Sequence, residues 1–174
     1  LDMLGIKYAS SAGGDIFSEP DMLILLDLLT VVNNPRSDIP LCRLLTTSVS
    51  GISPVVSFDE LVEIRQSISD SHSLYDAVID YADNGNDEKL AQRCREFVNE
   101  TDKMRRLASR LSAEKLLRAL ISLDRYVPLA ESEAYIYLFD CACAYVKRSW
   151  NGLRNFLSYL NKLTEVSTSS AERP

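Results

Sequence analysis

Apolar residues crowd the stretch 22–32 so densely that no polar face remains. Met22, Leu23, Ile24, Leu25, Leu26, Leu28, Leu29, Val31 and Val32 are interrupted only by Asp27 and Thr30. A helix apolar nearly all round must be buried on several sides, so this segment is expected to be central to the fold. Ser18 and Asp21, with Pro20 in the first turn, start it, and Asn33-Asn34-Pro35 stops it. Asp38 is placed to cap a short helix carrying Ile39, Leu41, Cys42, Leu44 and Leu45. Residues 47–57 hold Gly51, Pro54 and four serines without helical spacing, which marks a turn between helices. Ser57 with Glu60 forms a capping box that opens a helix with Phe58, Leu61, Val62, Ile64 and Ile68 at helical spacing.

Downstream, the polar run 69–73 ends that helix, and 74–82 forms another, closed by Asn84-Gly85. A long, charged helix is expected over 87–110, its apolar stripe drawn by Leu90, Cys94, Phe97, Val98, Met104 and Leu107. Ser112 caps a helix over 116–123 that ends at Val127-Pro128. Two final helices cover 132–147 and 149–166. The strict alternation of a half-buried strand is missing, the best candidate being Gly5-Ile6-Lys7-Tyr8-Ala9. No repeat of fixed period indicates a solenoid. The expected fold is all-α, about eight helices in one compact domain with a short extended N-terminal segment.

With 174 residues and 46% hydrophobic content, one good core can form. The polar tail 167–174 is expected to be disordered. Leu1 is not an initiator methionine, and the first residues read as the end of an earlier element, as in a cut fragment. A net charge of −6 disfavours a broad polyanion-binding surface, so any DNA contact must be local. Cys42, Cys94, Cys141 and Cys143 form neither paired CxxC units nor a set with histidines, and read as reduced, buried thiols of a cytoplasmic protein. The longest apolar run is far too short to span a bilayer, so no membrane is expected as a partner.

Chemistry is sparse. His72 is the one histidine and stands in a serine-rich turn, which leaves a serine nucleophile without a base. Asp80, Asp83 and Asp87 surround a helix end and lack the spacing of a calcium loop. No Gly-x-x-x-x-Gly-Lys-Ser/Thr run exists to cradle a nucleotide triphosphate. Catalytic, cofactor-binding and metal-ligating residues are therefore expected to be absent. Lys103, Arg105, Arg106 and Arg110, with Arg93 and Arg95, could form a nucleic-acid patch, but Glu96, Glu100 and Asp102 on the same helix point to a salt-bridged face. Lys147, Arg148, Trp150 and Arg154 could make a stacking platform, although tryptophan more often anchors a core.

From Gly5-Ile6 through Gly13-Gly14, Phe17, Leu26, Asn34-Pro35, Asp38-Ile39-Pro40-Leu41 and Gly51-Ile52, the chain resembles the segment where UvrD/RecB-type superfamily 1 helicases enter their inserted domain, called 2B. Residues 32–41 point to the AddA/RexA type of helicase-nuclease in particular. Phe58-Asp59-Glu60-Leu61, Ile64-Arg65, residues 73–78 and Gly152-Leu153-x-x-Phe156-Leu157 extend the match. The resemblance implies that 1–17 is left from the motor domain, 18–166 is the helical 2B-like domain, and 167–174 is tail. It also implies a role in double-strand-break repair and recombination, positioning duplex DNA or a duplex/single-strand junction. Its partners would be the remaining motor domains and an AddB/RexB-type subunit, with ATP and Mg²⁺ bound by the parent protein.

Residues 44–53 resemble that family's duplex-contacting turn, whose core is Gly-Ile-Gly. Gly51 and Ile52 match, while Ser53 replaces the second glycine and Pro54-Val55-Val56 lengthens the spacing to the next helix. A glycine turn exposes amides, and a nearby helix N-terminus adds partial positive charge, so such a turn would grip phosphate backbone. The candidate DNA-binding residues are Ser50, Gly51, Ile52, Ser53 and Arg65, with Arg43 also nearby. The alternatives are a plain interhelical loop with Gly51 as its turn residue, and a helical interaction module that docks a partner subunit or the motor.

Overall fold

The computed structural model describes residues 16–67, 73–148 and 152–171. Among these the chain is all-α: eight α-helices and two short 3₁₀ turns, with an isolated β-bridge between Val49 and Ile52 as the sole extended pairing. The helices are α1 (Pro20–Asn33), α2 (Asp38–Thr46), α3 (Phe58–Gln66), α4 (Leu74–Asn84), α5 (Glu88–Ala108), α6 (Ala113–Ile121), α7 (Glu133–Arg148) and α8 (Leu153–Ala171). The N-terminal strand candidate, His72 and Trp150 lie outside the described residues.

Contacts group the chain into two units: Leu26–Leu107, and the described parts of Leu1–Leu25 with Ala108–Pro174. In the Leu26–Leu107 unit, α4 packs against both α2 and α3. Its core takes Leu28, Leu29, Val31 and Val32 from α1, Leu41, Leu44 and Leu45 from α2, and Leu61 and Ile64 from α3. Tyr75, Val78 and Tyr81 of α4 and Leu90, Cys94, Phe97 and Met104 of α5 complete it. Arg36, in the loop after α1, is tied to Asp76 of α4 at 2.7 Å.

The other unit pairs α6 with α7. Phe17 meets the edge of Tyr137 at 5.7 Å, and Arg118 of α6 lies 4.9 Å from the ring centre of Phe139 on α7. Tyr145, Phe156 and Tyr159 join α7 to α8 through rings 5.3 to 6.4 Å apart.

Helix starts follow local chemistry. The Ser57/Glu60 capping box is formed in both directions, and Ser73 with Asp76 makes a second one on α4. Asp87 accepts the amides of Lys89 and Leu90 at the start of α5. Two expected caps are built differently. Asp38 is the first residue of α2, and its carboxylate accepts the Leu74 N–H of α4 at 3.1 Å, so it caps a neighbouring helix rather than its own. The Ser112 hydroxyl donates to the Glu114 carboxylate and leaves its own helix without a side-chain cap.

At the other end, α8 continues to Ala171, past the break expected after 166. Residues 167–171 contain neither glycine nor proline, so nothing in them interrupts the helical ladder.

Candidate nucleic-acid interface

The segment between α2 and α3 is a closed excursion. Leu45, fully buried in the last turn of α2, accepts the amides of Val55 at 2.8 Å and Val56 at 3.0 Å, so the chain returns to the point it left. Both valines are buried as well. The Pro54-Val55-Val56 extension thus adds two core side chains and the hydrogen bonds that close the loop.

At the tip the Ile52 amide donates to the Val49 carbonyl at 2.7 Å, closing a four-residue turn. Its central residues both have positive φ, 46° at Ser50 and 84° at Gly51. That combination is the signature of a type I′ turn. Gly51 occupies the left-handed region without cost, whereas Ser50 is the one non-glycine residue there among those described. Such a conformation at a side-chain-bearing residue costs of order 1 kcal/mol or more and persists only when its surroundings enforce it.

The site candidates therefore separate by position. Ser50, Gly51 and Ser53 are exposed on the excursion, while Ile52 is buried and anchors it. Arg65 stands in the last turn of α3, seven residues or about 10 Å along the axis from the helix's first residue. The N-terminus of α3 carries carboxylates of its own, since Asp59 and Glu60 occupy its first turn and Glu60 accepts the Ser57 amide at 2.7 Å.

Cations beside the excursion are engaged with carboxylates. Arg43 of α2 donates to Asp27 of α1 at 2.7 Å. Asp27 is buried at 3% exposure, and its second oxygen is buried with no hydrogen-bond partner. Burial pushes its pKa up to about 6 despite the opposing pull of Arg43. Arg93 of α5 donates to the Val55 carbonyl at 2.7 Å and to the Glu60 carboxylate. That guanidinium, followed by the Ser57 amide, holds Glu60 below the usual carboxylate range.

Further along α5, Arg95 faces Glu88 at 3.6 Å and Arg105 faces Asp102 at 3.4 Å. Of the intrahelical partners expected for this face, Asp102 is engaged with Arg105, while Arg93 pairs off the helix with Glu60 and Arg95 pairs with Glu88.

Elsewhere the chemistry is quiet. The four cysteines are free, and burial pushes Cys94 and Cys141 up to about 11, away from thiolate reactivity. Among the described residues no group of three or more His, Cys, Asp and Glu side chains could hold a metal, and no helix is long and apolar enough to cross a membrane. Exposed apolar side chains do occur on α3, where Phe58 is 69% and Val62 is 53% exposed. Helical spacing places this pair about 110° round from Leu61 and Ile64, which take the core.

Sequence reasoning found the turn and the capping box but missed the Arg43–Asp27 and Arg93–Glu60 pairs and the Ser73/Asp76 box. Asp27, a lone carboxylate inside an apolar run, was the available signal for the first pair. A Ser-x-x-Asp spacing was the signal for the box. Arg93 and Glu60 are 33 residues apart, with no local pattern to link them.

No family model matches the chain. Curated relatives do. The A-type subunit of the ATP-dependent helicase/nuclease from Clostridium acetobutylicum is 29% identical over 96% of this chain. The protein of the same name from Acetivibrio thermocellus is 30% identical over 94%. A third, from Ruminiclostridium cellulolyticum, is 26% identical over 91%. In each case the chain spans 13% of the relative's length. The relationship, densest over residues 5–53 and extended by phrases as far as Leu157, runs along nearly the whole chain, which matches one segment of the AddA-type ATP-dependent helicase/nucleases.

Proposed function

We propose that this chain is the 2B-like accessory segment of an AddA-type helicase-nuclease. It holds duplex DNA, or a duplex/single-strand junction, ahead of strand separation during double-strand-break repair. The observation that carries this reading is the turn at 49–52. An exposed pair of positive-φ residues is held by a buried isoleucine and a closed neck, and one of the pair is a serine. Backbone strain maintained by rigid surroundings is a recurrent property of ligand-gripping loops.

A turn of this kind grips the phosphodiester backbone and reads no sequence. ATP and Mg²⁺ would be bound elsewhere in the longer protein, because this stretch has no P-loop. The remaining motor domains and an AddB-type subunit would be its protein neighbours.

The test is fluorescence anisotropy of the 174-residue chain with a labelled duplex/single-strand junction over a salt series. Weak binding that falls with salt is expected, and Gly51→Asp should weaken it further. That substitution puts a carboxylate at the tip and a side chain where φ is 84°. Binding indifferent to both changes would remove the turn from the DNA-contacting surface.

A second reading is favoured by the exposed Phe58 and Val62, one turn apart on α3. They give the module an apolar face suited to docking the partner subunit or the motor domains. A DNA-independent complex with the partner subunit, lost on Phe58→Ser and unchanged by Gly51→Asp, would select this reading.

A further inference from the structure

We infer that Arg93 is the positioning residue of the 49–52 turn: from α5 it latches the loop's exit to the cap of α3 and so keeps the tip preformed. The inference rests on the proposed DNA-gripping role for its functional arm, though not for its structural one. Two links meet at this guanidinium, and a backbone pair lies beside them. One nitrogen donates to the Val55 carbonyl at 2.7 Å. The other donates to Glu60, whose second oxygen accepts the Ser57 amide at 2.7 Å. On the far side of Val55, the Val55 and Val56 amides donate to Leu45.

A single planar side chain thus ties the excursion's return leg to the capping box, while the backbone ties it to α2. Lysine could not substitute, since a point charge lacks the fork needed to reach a carbonyl and a carboxylate together.

This assignment differs from that of a phosphate ligand in what it makes measurable. A cation that neutralises a phosphate contributes about 0.9 to the slope of log affinity against log salt. A latch contributes nothing to the slope, because its partners are inside the protein. Its loss acts by letting the tip sample other conformations, which lowers the fraction of molecules ready to bind.

The experiment compares wild type, Arg93→Lys and Arg93→Met by amide hydrogen exchange and by junction binding across salt. In both variants, exchange at Val55 and Val56 is expected to accelerate roughly tenfold, the scale of one lost charge-assisted hydrogen bond. Amides in the middle of α5 should be unchanged, which separates local opening from unfolding. Junction affinity should fall by a similar factor in both variants with the salt slope unaltered.

Unchanged exchange at Val55 and Val56 in both variants would overturn the latch. So would a binding pattern in which Arg93→Lys retains affinity and Arg93→Met lowers the slope by about 0.9, which is the behaviour of a phosphate contact. If wild type binds no junction at all, the DNA-gripping reading fails, and the exchange arm still decides the latch by itself.

Discussion

Asp27 makes a strong claim about how stability should depend on pH. It is a carboxylate buried within the apolar helix α1, with one oxygen on Arg43 and the other unpartnered. Burial raises its pKa from the ordinary 3.8 to about 6, so the folded protein binds the proton more tightly than the unfolded chain does. A raised carboxyl pKa contributes stability that is fully present below 3.8 and lost as pH rises through about 6. The difference of 6 − 3.8, at 1.36 kcal/mol per pH unit, gives about 3 kcal/mol in full. Roughly 2 kcal/mol of it should be recovered between pH 7 and pH 4.

Asp27→Asn removes the ionisation and keeps the shape. Urea denaturation of both proteins from pH 4 to pH 7 should therefore show the variant gaining on wild type by about 2 kcal/mol as pH rises. Glu60 and Asp76 push the other way. Arg93 lowers the first, and Arg36, followed by Ser73, brings the second to about 2, so their contributions are lost as pH falls. Both proteins share these groups, and the difference between the two curves cancels them. Parallel curves would refute the reasoning, because they would mean that burial does not outweigh the pull of Arg43 on Asp27.

Two further outcomes can be checked with the same protein. A β-carbon added at Gly85 would stand 2.5 Å from the ring and the carbonyl oxygen of Tyr81. That ring is buried and its hydroxyl donates to Glu63, so Gly85→Ala should destabilise by about 1 to 3 kcal/mol in urea denaturation. Cys94 and Cys141 should resist alkylation at pH 8 in the native state and react on denaturation, as mass spectrometry of the labelled protein would report.

The legible features were those whose cause is local. An apolar helix between a proline start and an Asn-Asn-Pro stop, and a Ser-x-x-Glu box, depend on neighbours within a few residues, and both formed as read. Gly51 announced a turn, but Ser50 gave no sign of its positive φ, because serine has no preference for that region. Asp38 was correctly identified as a cap and wrongly assigned a helix: its partner amide, on Leu74, is 36 residues away. Phe58 and Val62 fit the apolar spacing of α3 yet face outward, since periodicity finds a stripe without saying how wide the covered part is. The helix runs through 167–171, past the expected break, because a polar, serine-rich sequence without glycine or proline carries no stop signal.

The disposition of charge narrows what the turn could do in DNA binding. Arg36, Arg43, Arg93, Arg95 and Arg105 each face a carboxylate, and the whole chain carries −6. Arg93 is thereby committed to holding the excursion, and Arg43 to Asp27 of α1. A phosphate at the tip would meet backbone dipoles and hydroxyls rather than a track of free guanidinium groups. Few counterions would then be released, and the salt slope should correspond to about one or two phosphates. With so little Coulombic attraction available, affinity would depend on the tip being formed before the DNA arrives. The buried Ile52, the two hydrogen bonds accepted by the Leu45 carbonyl and the Arg93 fork would all act in that direction. On this argument the local rigidity of 45–60, more than its charge, is what a duplex-holding role would require.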